Sequence, residues 1–142
     1  MEYVDARTKL YDQFSGANCS SHTDVVYVEG DGGAAGRRGY TVCVYGGTGS
    51  CDQFWVVTDV PEIFTQTVDH GGDGDNYTVN LVKTIRHETG HTIGLNNDGQ
   101  YSYDTSLLPS WADAMVSGWV DTNLLWMSYS DHHVSHINAF SF

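Results

Sequence analysis

Five residues, His87-Glu88-Thr89-Gly90-His91, constrain this chain more than anything else in it. They lie in the segment Tyr77 to Leu95, where Val79, Leu81, Val82, Ile85, Ile93 and Leu95 recur at helical spacing and Gly94 supplies a stop. Residues four apart share one face of a helix, so both imidazoles can reach a single cation. Neutral imidazole nitrogen suits Zn²⁺, at about 2.0–2.1 Å. Glu88 stands next to the first ligand, placed to take a proton from a water that the metal acidifies towards a pKa of roughly 7. With seven His in 142 residues, a chance match to this spacing is on the order of one per cent. The alternative, two incidental His on a polar helix face, is therefore disfavoured.

The run continues Thr92-Ile93-Gly94-Leu95-Asn96-Asn97-Asp98. Here the chain resembles the metzincin zinc endopeptidases, whose pattern is H-E-x-x-H-x-x-G-x-x-H, with Asp as third ligand in one small secreted bacterial group. Gly94 falls on the family's glycine, which without a Cβ can turn the chain sharply and bring a third ligand to the helix. The third-ligand position holds Asn97, and Asp98 follows it as an Asp follows the third His in the adamalysin-like branch. Three arrangements stay open. Asn97 ligates through its amide oxygen, which is a poorer donor than imidazole or carboxylate. Alternatively, Asp98 ligates after a one-residue shift. In the third, the donor comes from His132, His133 or His136, or is missing and zinc is held weakly. A distant Glu as third ligand is excluded, because no Glu follows Glu88.

A second stretch, Leu124-Leu125-Trp126-Met127-Ser128-Tyr129, resembles the family's Met-turn in its serralysin-like version. The resemblance implies that Met127 lies beneath the metal as an apolar floor and that Tyr129 donates a hydrogen bond to the oxyanion. It further implies a small secreted zinc endopeptidase, a monomer with Glu88 as general base, acting on extended polypeptides laid along an edge strand. The competing class is a metzincin-like protein that binds metal weakly and does no catalysis, which Asn97 favours and the intact Glu88 disfavours.

The remaining chain reads as α+β, a small mixed sheet packed against the metal-bearing helix, with a C-terminal helix after the Met-turn. A helical stripe runs from Tyr3 to Phe14. Strands are expected at Asp24–Val28, Tyr40–Tyr45 and Phe54–Thr58, around a loop with five glycines between Gly30 and Gly39. Pro61 opens an ambiguous stretch ending near Val68. A short helix is expected over Trp111–Val120 and another over Ser130–Phe140. With no repeat or linker, residues 1–142 read as one domain. The loop Asp69–Asn76 carries carboxylates that suit Ca²⁺, although its spacing is not that of an EF-hand and a solvated acidic loop is the favoured reading. Cys43 and Cys51 flank a Gly-rich segment able to turn a hairpin, so a disulfide between them would suit an oxidising compartment. Pairings with Cys19, or three free thiols, are the alternatives.

Charge bears on setting rather than chemistry. Six basic residues stand against 18 acidic ones, for a formal charge of −12, and fourteen of the acids are Asp. Such a surface self-repels in dilute buffer and is relieved by salt, as in proteins of salt-loving microbes, although an ordinary acidic secreted protein would look similar. No basic cluster exceeds Arg37–Arg38, which argues against a nucleic-acid partner. No apolar run approaches the roughly 20 residues of a membrane span. The first residues, Met1–Asp5, lack the basic and apolar regions of a signal peptide.

Overall fold

The computed structural model describes residues 24–47, 50–96 and 113–139; the stripe Tyr3–Phe14 and the third-ligand positions Asn97 and Asp98 lie outside them. Within them the fold is α+β, a three-stranded mixed sheet with three helices. The strands are β1 (Val25–Glu29), β2 (Gly39–Gly47) and β3 (Ser50–Thr58). They are ordered β1-β3-β2, with β1 parallel and β2 antiparallel to the central β3. The register sets Tyr27, Val56 and Thr41 side by side on one face, and Val26, Trp55 and Val42 on the other. The first face meets the helix Gly74–Thr92, since the Tyr27 and Thr89 hydroxyls lie 3.2 Å apart and Val56 is fully buried. On the second face Trp55 and Val42 remain exposed.

The expected hairpin forms, and a disulfide joins Cys43 to Cys51 across a sequence separation of 8. The register slips next to Cys43, around Val44. Closing so short a loop stabilises by about 2–3 kcal/mol, chiefly by restricting the unfolded chain. Reduction is accordingly expected to lower the unfolding free energy by about that amount, measured by urea titration with and without reductant. The bridge is consistent with an oxidising compartment, and no helix among the described residues is long and apolar enough to cross a membrane.

The stretch opened by Pro61 is a helix, α1 (Val60–Asp69), capped by Asp59, whose carboxylate accepts from Glu62 N. The loop after it is shorter than the sequence suggests. Asp73 caps the next helix, α2 (Gly74–Thr92), by accepting from the amides of Asp75 and Asn76, and Asn76 returns a bond in a capping box. Asp73 is thus already engaged in stopping backbone donors.

The chain returns beneath α2 as the segment 113–120, a turn of 3-10 helix (Leu124–Met127) and α3 (Asp131–Ala139). No helix forms over 113–120, contrary to the spacing of its apolar residues. The Asp113 carboxylate takes the Met115 amide, a local bond that competes with helix formation. Ala114, Met115, Val116 and Val120 are also all fully buried, so the segment has no solvent face for an amphipathic helix to present. Two apolar clusters result. Leu95, Ala114, Met115, Tyr129, Val134 and Ile137 form one, and Val79, Val116, Val120 and Trp126 the other.

Candidate metal centre and catalytic cleft

Helix α2 is unusual in what it buries. Besides Val79, its buried positions are Asn80, Lys83, Thr84, Glu88 and Gly90. Several of these fall on a polar stripe that continues through His87 and His91, and the stripe lines a cleft of about 490 Å³ between α2 and strand β2. Asn80 is satisfied by both backbone groups of the neighbouring segment, donating to Val120 O and accepting from Val120 N. The remaining polar side chains of the stripe therefore need a reason other than packing.

The two imidazoles are held in one tautomer by the backbone. His87 Nδ1 donates to Ala114 O at 2.9 Å, and His91 Nδ1 donates to Leu95 O at 2.8 Å. In the neutral ring each Nε2 is thereby the acceptor, the state that binds metal, with carbonyls in the orienting role usual for ligating histidines. The rings stand 4.8 Å apart between centroids, nearly perpendicular. Burial, then the nearby Lys83, pushes the His87 imidazole down to about 4, so it is neutral at physiological pH.

Gly94 makes the second of these bonds possible. Its φ of 83° lies in the left-handed region, and it closes α2 with Leu95 N donating to Gly90 O and Gly94 N to His91 O. That turn carries the Leu95 carbonyl back to His91 and buries the Leu95 side chain. Gly90, between the two histidines, allows a different close approach. A Cβ there would fall 2.3 Å from Met115 Sδ.

Glu88 lies between the imidazoles in sequence and in the same cleft. Thr41 Oγ1, from β2, shares its one hydroxyl hydrogen between the Glu88 carbonyl at 2.6 Å and Glu88 Oε2 at 2.9 Å. Burial raises the Glu88 pKa above the usual carboxylate range, with the Thr41 bond opposing. A raised carboxyl pKa suits a group that must both take and return a proton near neutrality. Thr41→Val removes the bond that aims Oε2. It is expected to raise the Glu88 pKa further, as carboxyl carbon-13 NMR titrations of wild type and variant will show.

Lys83, one turn before His87, is 2 % exposed. Burial pushes its ammonium down to about 7, with Arg38 adding to this and Glu88 and Asp113 opposing. Its folded pKa is depressed, so the folded state binds fewer protons than the unfolded one between about pH 7 and about pH 10.4, and stability from this group rises with pH across that window. Lys83→Met is expected to raise Tm by several degrees at neutral pH and by little at strongly alkaline pH, as thermal melts at the two pH values will show.

The other expected site residues are placed elsewhere. Tyr129 is 1 % exposed and its hydroxyl donates to the Arg86 carbonyl at 2.6 Å, so it braces α2 and does not line the cleft. Met127 is half-buried against the Val79 and Trp126 cluster. The sulfur that lies against the histidine-bearing turn is that of Met115, not Met127, because Asp113 turns the chain there and Ala114 must reach His87. Among the described residues no third His, Cys, Asp or Glu joins His87 and His91. The His132 and His136 rings lie 4.2 Å apart between centroids in α3, tilted by 51°, and His133 Nδ1 is 2.6 Å from Asp113 Oδ2. Thr41, Lys83, Asp113 and Met115 were missed from sequence. Only Lys83 carried a usable signal, its i−4 spacing from His87.

Comparison with family models, curated proteins and solved structures finds no match to this chain.

Proposed function

We propose that the chain is a zinc-dependent endopeptidase of metzincin type, hydrolysing polypeptides with Glu88 as general base. The observation that carries the reading is the pair of Nδ1 bonds to Ala114 O and Leu95 O, which leaves both Nε2 atoms as acceptors in one cleft beside Glu88. His87 and His91 would hold Zn²⁺, and Asn97 and Asp98, which lie outside the described residues, are the expected sources of a third donor. When bound, zinc supplies Lewis acidity towards a peptide carbonyl and a water.

The chain's own groups do the rest. Thr41 fixes Glu88 Oε2 and leaves Oε1 to accept the water proton and pass it to the departing amine. Strand β2 pairs only with β3 among the described residues, so its outer edge can take an extended substrate strand. Gly39 and Thr41 of that strand line the cleft. The geometry does not support Tyr129 as an oxyanion donor, because its hydroxyl is engaged with Arg86 O.

Metal analysis with casein cleavage, at low and at multi-molar salt, tests the reading. One zinc per chain with chelator-sensitive cleavage supports it, while zinc-free, inactive protein in both conditions sinks it and leaves a non-catalytic module. Improved zinc retention in Asn97→His would assign position 97 as the third ligand. Loss of zinc in Asp98→Ala alone would assign Asp98.

A further inference from the structure

The chain has only six basic side chains, and three of them, Arg37, Arg38 and Lys83, line the same cleft. Among the described lining residues Glu88 is the only acid; Glu62 also faces Arg38 and Asp113 faces Lys83 from behind the cleft wall. The burial of the three basic side chains is graded. Arg37 is exposed, Arg38 half-buried and Lys83 buried. Each is also held differently. Arg37 lies over the Tyr40 ring at 5.2 Å from its centroid. Arg38 donates to Asn80 Oδ1 and to Gly118 O, which fixes its guanidinium at the wall. Among the described residues no buried side-chain nitrogen or oxygen lacks a partner, so the Lys83 ammonium, on a side chain only 2 % exposed, opens onto the cleft, where a ligand carboxylate can meet it.

We propose that Arg37, Arg38 and Lys83 form an anion subsite selecting peptides that carry a carboxylate near the bond presented to His87 and His91. The proposal rests on the peptidase reading for its substrate class and adds which peptides are preferred. It also gives the charge distribution a role. At low salt the −12 chain repels acidic peptides as a whole. At molar salt the Debye length falls to about 3 Å, long-range repulsion disappears, and contact pairs inside the cleft persist. Selection for acidic peptides is therefore a property of the protein in high salt.

The test uses labelled peptides identical except for Glu, Gln or Lys at one position, each as free acid and as C-terminal amide. Binding is read by fluorescence anisotropy in multi-molar salt, on the full chain with and without zinc, and cleavage is followed in parallel. The Glu peptide is expected to bind about tenfold tighter than the Gln peptide, the scale of a charge-assisted hydrogen bond. Arg37→Gln and Lys83→Met should each bring that ratio towards one, and thermal melts show that both variants are folded. A free-acid preference without a Glu preference would support the subsite and assign the carboxylate to the substrate's terminus. Equal binding of all peptides, no binding, or a Glu-to-Gln ratio unchanged in both variants would overturn the proposal. Acid-selective binding with no cleavage would leave the subsite standing and defeat the peptidase reading. Cleavage without charge preference would do the reverse.

Discussion

Glu88→Gln is expected to lower kcat by about 10³-fold while zinc content stays at the wild-type level, a loss within the range typical of general acid–base groups. Glutamine keeps the shape and can still accept the Thr41 hydroxyl through its amide oxygen, so the cleft and the two imidazoles should be undisturbed. What it cannot do is take the water proton. The variant therefore separates proton transfer from metal binding in one experiment. Parallel measurement of zinc stoichiometry and peptide hydrolysis checks it, and a variant retaining a tenth or more of wild-type kcat would remove Glu88 from the chemistry.

The second large effect is structural. Asp113→Ala is expected to destabilise by about 3–5 kcal/mol, the scale for leaving a buried partner uncompensated. Asp113 is fully buried. Its Oδ1 accepts from Met115 N at 2.7 Å, and its Oδ2 accepts from Ser130 N at 3.0 Å and from His133 Nδ1 at 2.6 Å. Alanine removes, in one step, the carboxylate that two backbone donors and an imidazole share. Out of the roughly 5–15 kcal/mol total of a natural domain, that is a large share. The loss also reaches the site, because the turn that Asp113 holds carries the Ala114 carbonyl to His87 and the Met115 sulfur to Gly90. Weaker zinc retention should accompany the lower urea midpoint. A double-mutant cycle with His133→Ala isolates the pair term, and a loss below about 1 kcal/mol for Asp113→Ala would show that this network does not hold the turn.

Much of the site was legible because local physics governs it. The spacing of His87 and His91 puts both rings on one face whatever surrounds the helix, and Gly94 adopts its positive φ because only glycine does so without strain. The Cys43–Cys51 bridge was likewise legible, because the glycines between them allow a tight hairpin. The segment 113–120 was not. Its apolar residues suggested a helix, yet they are spaced for burial on all sides, and the deciding bonds run from Asp113 to Ser130 and His133, distant in sequence. The Met-turn resemblance placed Met127 and Tyr129 at the metal for the same reason. Sequence spacing could not show that Met115, nearer to α2 along the chain than Met127, would bring its sulfur against that helix. The polar stripe Asn80, Lys83, Thr84 and Glu88 shows the limit of hydrophobic periodicity, which located α2 correctly while the helix buries much of its polar side.

Nitrogen-15 NMR of histidine-labelled protein during zinc titration reads both imidazoles at once. One equivalent of zinc is expected to shift the Nε2 resonances of both His87 and His91 while each Nδ1 remains protonated and bonded to its carbonyl. Unchanged Nε2 signals for either residue, or coordination through Nδ1, would contradict this.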